Sequence, residues 1–195
     1  MQDETSSTRT VLLQAGAGDS REDYFLAPVE AVKKQSILIR TMMEDDDDAD
    51  TGITDLSTVS LEELKARELI PLPELSADIL KLVIQFMIKH RDDPLKKIEK
   101  PIKTTSLKEI VGEWDAEFVN LEQEPLFKLI LAANYLDMPD LLELGICKLA
   151  TMVKGKDPEE IKRLFNIEPD ITPEEEKMVR DSNPWIFNVE NVTPV

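Results

Sequence analysis

The chain has 195 residues, 40 of them acidic against 23 basic, for a net charge of −17. Phosphate backbones and anionic membranes bind basic surfaces, so this balance excludes nucleic acid and membrane and favours protein partners with basic patches. Hydrophobic content of 42% with 5% aromatic residues supports a core of Leu, Ile, Val and Met, enough for one domain of ordinary size plus an appendage.

Residues 1–9 are polar and are expected to be disordered. Thr10–Gln14 and Tyr24–Leu26 read as strands, joined by a Gly/Asp/Ser-rich hairpin turn. From Pro28 the period changes, and Val32, Ser36, Ile39 and Met43 fall on one face of a helix ending near Met43. Glu44–Asp50 carries six carboxylates in seven residues and reads as a solvated loop. Ser60 and Glu63 stand at capping-box spacing, which places a short amphipathic helix at 60–69. The whole acidic and inserted stretch covers about 44–69. Ile70-Pro71-Leu72-Pro73 is compatible only with an edge strand or an extended connector, because each proline removes a ladder donor.

Ser76 opens a strong helix to about His90, with Ile79, Leu82, Val83, Phe86 and Met87 at helical spacing. The charged, proline-bearing stretch from about 91 to 112 has little to bury and reads as mobile. Order resumes at Trp114–Val119. Pro125–Leu136 is apolar nearly all round, as a helix in the middle of a domain is. Pro139 opens the next helix, which runs to about Val153 and spreads apolar side chains over half its circumference, so it is expected to touch two bodies. The compact α/β unit therefore spans 10–153, with three short strands and four or so helices.

Residues 154–195 are thinner. Asp157-Pro158-Glu159-Glu160 and Thr172-Pro173-Glu174-Glu175 repeat one helix-start signal: a capping side chain, proline at the first helical position and an acid three residues on. Ile161, Phe165, Ile167, Val179 and Trp185 are among the few apolar residues there, too few to fold alone without a staple. Such a segment is read as two or three helices that pack partly on the 139–153 helix and leave an apolar groove. An exposed apolar groove marks a protein-binding site.

No catalytic constellation emerges. His90, the one histidine, stands beside Arg91 at a helix end and reads as a cation favoured by the helix dipole. Cys147, the one cysteine, reads as a small buried hydrophobe; it excludes an intrachain disulfide and suits a reducing compartment. The acidic run lacks the alternating ligands and turn glycine of a calcium cage. There is no CxxC, HExxH or phosphate loop. The chain is expected to be no enzyme, to need no cofactor and to hold no metal. Its apolar runs fall short of the ~18 residues of a membrane span and its start lacks a leader's apolar core, so it is expected in cytoplasm and nucleus.

The motifs now in place resemble the S-phase kinase-associated adaptor subunits of cullin–F-box ubiquitin ligases. Val32–Asp45 resembles the family's first helix and acidic loop. Pro71–Pro73, the 76–90 helix, Arg91-Asp92-Asp93-Pro94, Trp114-Asp115, Leu126–Asp137 and Lys154–Ile167 follow in family order. The resemblance implies a POZ (BTB-like) unit followed by C-terminal helices that cradle an F-box. It assigns Asn134 and Tyr135 to a cullin contact, although the residues alone also allow Tyr135 in the core and Asn134 as a helix cap. It assigns Leu149, Ile161, Phe165, Asn166, Ile167, Val179 and Trp185 to the F-box contact. Implied partners are F-box proteins and a cullin N-terminal domain, with a RING subunit through the cullin; weak self-association of the POZ surface stays open.

Several segments depart from the family pattern and suggest a divergent paralogue. The 51–69 insertion is long, Phe86 replaces a common tryptophan, Glu124-Pro125 replaces a small flexible residue, and Ile186–Asn191 is unusually apolar. The leading expectation is a non-catalytic adaptor supporting ubiquitin-dependent degradation. The alternative keeps the F-box groove but puts the chain in a non-ligase assembly such as a kinetochore complex.

Overall fold

In the computed structural model, which describes residues 9–43, 50–167 and 172–184, the two strand signals and the proline-bearing segment join one sheet of order β2-β1-β3. Strand β1 (Thr10–Ala15) pairs antiparallel with β2 (Tyr24–Pro28), Leu12 opposite Leu26. Strand β3 (Ile70–Leu72) lies parallel to β1 at the edge, where Pro71 costs no interior ladder bond. In the hairpin turn Gly18 has φ +67°, and a Cβ there would stand 2.0 Å from the Gln14 side chain. Its carbonyl accepts from the buried Tyr24 hydroxyl at 3.2 Å.

Leu12 and Leu13 are neighbours in β1 and both are 0% exposed. Successive strand side chains point to opposite faces, so the sheet is covered on both sides. Leu13 joins the main core with Val32, Leu80, Phe86, Leu126 and Leu129. Leu12 and Tyr24 instead meet Ile53 and Leu64, with Leu56, Val59 and Leu61 packed around them. The 51–69 insertion thus supplies a second small core.

The single helix expected to Met43 is two: α1 (Val29–Gln35) and α2 (Ile37–Met42). The chain extends at Ser36 (φ −116°, ψ 117°), whose hydroxyl accepts from the Ile39 amide at 3.2 Å and donates to the Leu136 carbonyl at 2.7 Å. Both pieces turn the same face inward, so the apolar period runs unbroken across the break. Helix α3 (Leu61–Ala66) follows, opened by the reciprocal Ser60–Glu63 capping box. The insertion is stitched to β1: the Thr51 amide donates to the Thr10 carbonyl at 3.0 Å, and Arg67 donates to the Thr51 carbonyl at 2.9 Å. Asp50 accepts from the Gly52 and Thr10 amides, which hold its carboxyl below the ordinary value. Glu44–Ala49 lies outside the described residues.

Helix α4 (Ala77–Lys89) buries Ile79, Leu80, Val83, Ile84, Phe86 and Met87. Residues 91–112, expected to bury little, instead strap the domain. Ile98 and Val111 are buried, Leu95, Ile102, Leu107 and Ile110 pack on the core, and α5 (Leu107–Val111) forms within the strap. Leu95, Ile98 and Ile102, then Leu107, Ile110 and Val111, do fall at helical spacing, but five lysines and the prolines at 94 and 101 stand among them and the composition reads as solvated. Helix α6 (Glu113–Phe118) places Asp115 against His90, which caps the end of α4. His90 is 1% exposed, so the cation expected at this helix end is a buried one. Its Nε2 lies 2.8 Å from Asp115 Oδ1 and its Nδ1 2.6 Å from the Asp93 carbonyl.

Helix α7 (Gln123–Tyr135) is not buried all round, as its composition suggested. Leu126, Leu129, Ala132 and Ala133 face the core, while Leu131 is 67% exposed. Helix α8 (Pro139–Val153) crosses it closely at Gly145, where an added Cβ would come within 2.5 Å of Ile130 Cγ1. Cys147 on α8 is buried, and burial followed by the Glu143 charge pushes its thiol pKa up.

The chain divides into two units, Met1–Lys154 and Gly155–Val195. Within the second, α9 (Pro158–Phe165) and α10 (Pro173–Ser182) carry the two repeated start signals.

Candidate functional site

The end of α7 is a fixed platform. Asp137 takes a left-handed conformation (φ +49°), its amide bonds to the Asn134 carbonyl at 3.2 Å, and the Met138 amide bonds back to the Ala133 carbonyl at 2.8 Å. This double closure stops the helix and satisfies carbonyls that a helix end leaves orphaned. The start of α2 is tied to the same turn, because the Ile37 and Leu38 amides donate to Asp137 and Leu136 carbonyls beside the Ser36 hydroxyl bond. Ser36→Ala removes a helix cap and leaves a buried carbonyl one donor short. It is expected to cost about 1–3 kcal/mol, read as a lower urea midpoint.

Of the two sequence-nominated residues here, Asn134 is exposed and its side chain makes no hydrogen bond among the described residues, so it is not a side-chain cap. Tyr135 is half-buried, packed partly against the main core. It also lines a shallow depression of about 380 Å³ with Leu131, Lys128, Leu75 and Ile79. Tyr135 therefore packs on the core with one side and leaves the other in the depression. Leu131, one turn before Tyr135 and 67% exposed, was missed by treating the helix as buried throughout. The spacing of 126, 129, 132, 133 and 136 already defined the inner face, and left 128, 131 and 135 for the outer one.

Leu149 lies half-buried on α8 in the first unit. The other assigned F-box residues belong to the second unit. Ile161 and Phe165 stand one turn apart on α9, both half-buried, and no residue of α9 is fully buried. The helix opens with a reciprocal box, the Glu160 amide to Asp157 at 2.8 Å and the Asp157 amide to Glu160 at 3.1 Å.

Asn166 has a structural role that the sequence did not suggest. It closes α9 in the left-handed conformation (φ +49°), and the following Ile167 amide bonds back to the Lys162 carbonyl at 2.9 Å. Asparagine tolerates that conformation better than most residues. The α7 and α9 ends thus use the same closure, with one difference. The apolar residue after the left-handed position is buried at Met138 (1% exposed) but open at Ile167 (52%).

Helix α10 opens with the matching box. The Glu175 amide donates to the Thr172 hydroxyl at 3.3 Å, and Glu175 accepts from the Thr172 amide at 2.8 Å. Those Thr172 donors, the amide first, hold the Glu175 carboxyl below its ordinary value. Val179 and Met178 are 52% and 65% exposed. Trp185 and the apolar run Ile186–Asn191 lie outside the described residues.

These exposed apolar groups fall in a region with known relatives. A family model described as "Skp1 family, dimerisation domain" matches residues 139–186, the stretch holding α8, α9 and α10. An S-phase kinase-associated protein 1 homolog of Tetrahymena thermophila is 41% identical over 167 residues, covering 85% of this chain and 90% of the relative. The E3 ubiquitin ligase complex SCF subunit sconC of Arthroderma otae is 40% identical over 154 residues, 79% of this chain and 83% of its own. The sconC subunit of Aspergillus flavus is 41% identical over 162 residues, 81% and 88% respectively. Identity at that level extends far beyond the matched C-terminal helices and takes in most of the sheet-bearing unit, and on that ground the chain belongs to the Skp1 family.

Proposed function

We propose that this protein is a non-catalytic adaptor that joins F-box substrate receptors to a cullin scaffold in a ubiquitin ligase. The observation that carries the reading is the state of α9 and α10. Each opens with a reciprocal side-chain capping box, yet Ile167, Met178 and Val179 are left open to solvent. Self-capped helices with uncovered apolar side chains are built to be covered by a partner. Membership of a family whose relatives are named as SCF subunits supports an F-box as that partner.

The platform at Asn134, Tyr135 and Leu131 is the proposed cullin contact, and a RING subunit joins through the cullin. Leu149, Ile161, Phe165, Ile167, Val179 and Trp185 are the proposed F-box contacts, with Asn166 shaping the turn that presents Ile167. Such an adaptor acts by position: it fixes the distance from receptor to ligase and does no chemistry itself. It would work in cytoplasm and nucleus.

Size-exclusion chromatography of the full chain mixed with an F-box domain and a cullin N-terminal domain tests this directly. A single peak holding all three is expected. A folded chain that binds neither sinks the adaptor reading, and one that binds F-box but never cullin favours a non-ligase assembly.

A further inference from the structure

The strap formed by residues 95–103 and helix α8 border a groove of about 320 Å³. Ile98 and Ile102 line it from the strap, and Leu142, Ile146 and Ala150 from the helix. Ile146 is 51% exposed although Cys147 beside it is buried. Leu142, Ile146, Leu149 and Val153 are spaced four, three and four residues apart, so they form one stripe along α8. The groove is therefore continuous with the position of Leu149, itself a proposed F-box contact.

The strap beside this groove is basic in an acidic chain, and Lys100 and Glu143 both line the groove itself. Between positions 96 and 108 stand five lysines, Lys96, Lys97, Lys100, Lys103 and Lys108, against one acid, Glu99, in a chain whose net charge is −17. All five are exposed. Lys100 pairs with Glu143 at 2.7 Å on the groove rim, and Lys103 with Glu99 at 3.6 Å, both through lysine side chains that are largely open to water. Lys97, next to Ile98, has no side-chain partner among the described residues. Solvated ion pairs of this kind contribute little, so an incoming carboxylate exchanges with them readily. Elsewhere the acidic surface repels such a partner, and screening over ~8 Å at physiological salt confines the attraction to groups that reach the strap itself.

We infer that the strap is a specificity element of the adaptor: its groove takes an apolar side chain from the segment flanking a bound F-box, and its lysines select flanks that carry carboxylates. This rests on the adaptor reading above and adds to it a rule for which receptors fit. Apolar floor and basic rim together specify an acidic–apolar flank, and neither alone would.

The test uses one F-box domain that binds the full-length chain, prepared with acidic, neutral and basic flanking segments. By isothermal titration at low salt, the wild-type chain should bind the acidic-flanked form about tenfold more tightly than the basic-flanked form, and the gap should shrink as salt rises. The Lys97→Glu/Lys100→Glu/Lys103→Glu chain should reverse the order, while binding a cullin N-terminal domain as wild type does. A Lys→Gln version of the same triple change, which introduces no new repulsion at Glu143, should abolish the preference without reversing it. Equal affinity of wild type for the three flanks overturns the inference, as does a preference that survives both variants. If wild type binds none of the three forms while still folded, the adaptor reading falls and the inference with it.

Discussion

Asp115→Ala is expected to lower the stability of the sheet-bearing unit by about 3–5 kcal/mol, the cost of breaking a buried ion pair from one side. The geometry shows why the effect should be so large. His90 has a carbonyl oxygen at Nδ1 (Asp93, 2.6 Å) and a carboxylate oxygen at Nε2 (Asp115, 2.8 Å). A carbonyl and a carboxylate only accept, so both ring nitrogens are satisfied only when both carry protons. The imidazolium is enclosed by the Phe86 ring at 4.3 Å and the Trp114 ring at 5.7 Å, edge-on. The His90 carbonyl also accepts from Gln35 on α1 at 2.8 Å. One residue thus ties α1, α4 and α6 together, and removing Asp115 leaves its charge buried without a counterion.

The same pair makes stability depend on pH with a defined sign. Burial alone would push the His90 pKa down, with a smaller push from Lys89. The hydrogen bonds to Asp115 and the Asp93 carbonyl, with the Asp115 charge, outweigh them and hold it above the ordinary 6.5. A raised folded pKa means the native state keeps its proton longer than the unfolded chain does. The contribution is therefore fully present below about pH 6.5 and is lost as pH climbs through the folded value. Asp115→Asn provides the readout. Its amide can donate to a neutral Nε2 or accept from a protonated one but supplies no charge against the imidazolium, so the wild-type advantage in urea midpoint should be large at pH 5.5 and narrow toward pH 8.5. An advantage that grows with pH would show that His90 is neutral in the native state.

The second large effect is on binding. Ile167→Asp combined with Val179→Asp is expected to weaken F-box binding by about thirtyfold or more, the loss associated with an interface hot spot. Both side chains are about half exposed and outside any buried cluster, so the unfolding midpoint should hardly change. Cullin binding should be untouched. Tyr135→Lys should give the opposite pattern, weakening the cullin and sparing the F-box. A double variant that binds F-box as wild type does would remove these two residues from the interface. Asn166→Gly is the companion control: glycine preserves the left-handed closure, so any affinity lost reports a contact made by the asparagine side chain itself.

How far these sites were legible depended on whether a residue's role followed from local pattern. The α9 and α10 starts were readable because a capping box and a first-turn proline are local chemistry, and both boxes close as written. The three strands and the α4 and α8 helices followed from period and punctuation. Ser36 was hidden for the opposite reason. Val32, Ser36, Ile39 and Met43 are all buried, so the helical period continued through a residue whose partner, Leu136, is a hundred positions away. The burial of the strap at 91–112 was hidden by composition: its apolar residues stand singly among lysines and prolines, so their spacing carried little weight. His90 is legible as a cation at a helix end, but its burial and its Asp115 partner are not, since Asp115 approaches only in three dimensions. Asn166 was nominated through resemblance as a contact, and its left-handed backbone supplies a second reason for the residue there.

The sandwiching of β1 sets a limit on how this adaptor can be trimmed. Residues 51–66 look expendable, an excursion between two loops. Yet Ile53 and Leu64 roof Leu12 and Tyr24, and excising them would bare one whole side of a three-stranded sheet whose proline-bearing edge is already short. A shortened transcript or a minimal expression fragment lacking the insertion should therefore yield not a leaner adaptor but an insoluble one, and the segment behaves as an obligate part of the domain rather than an ornament on it.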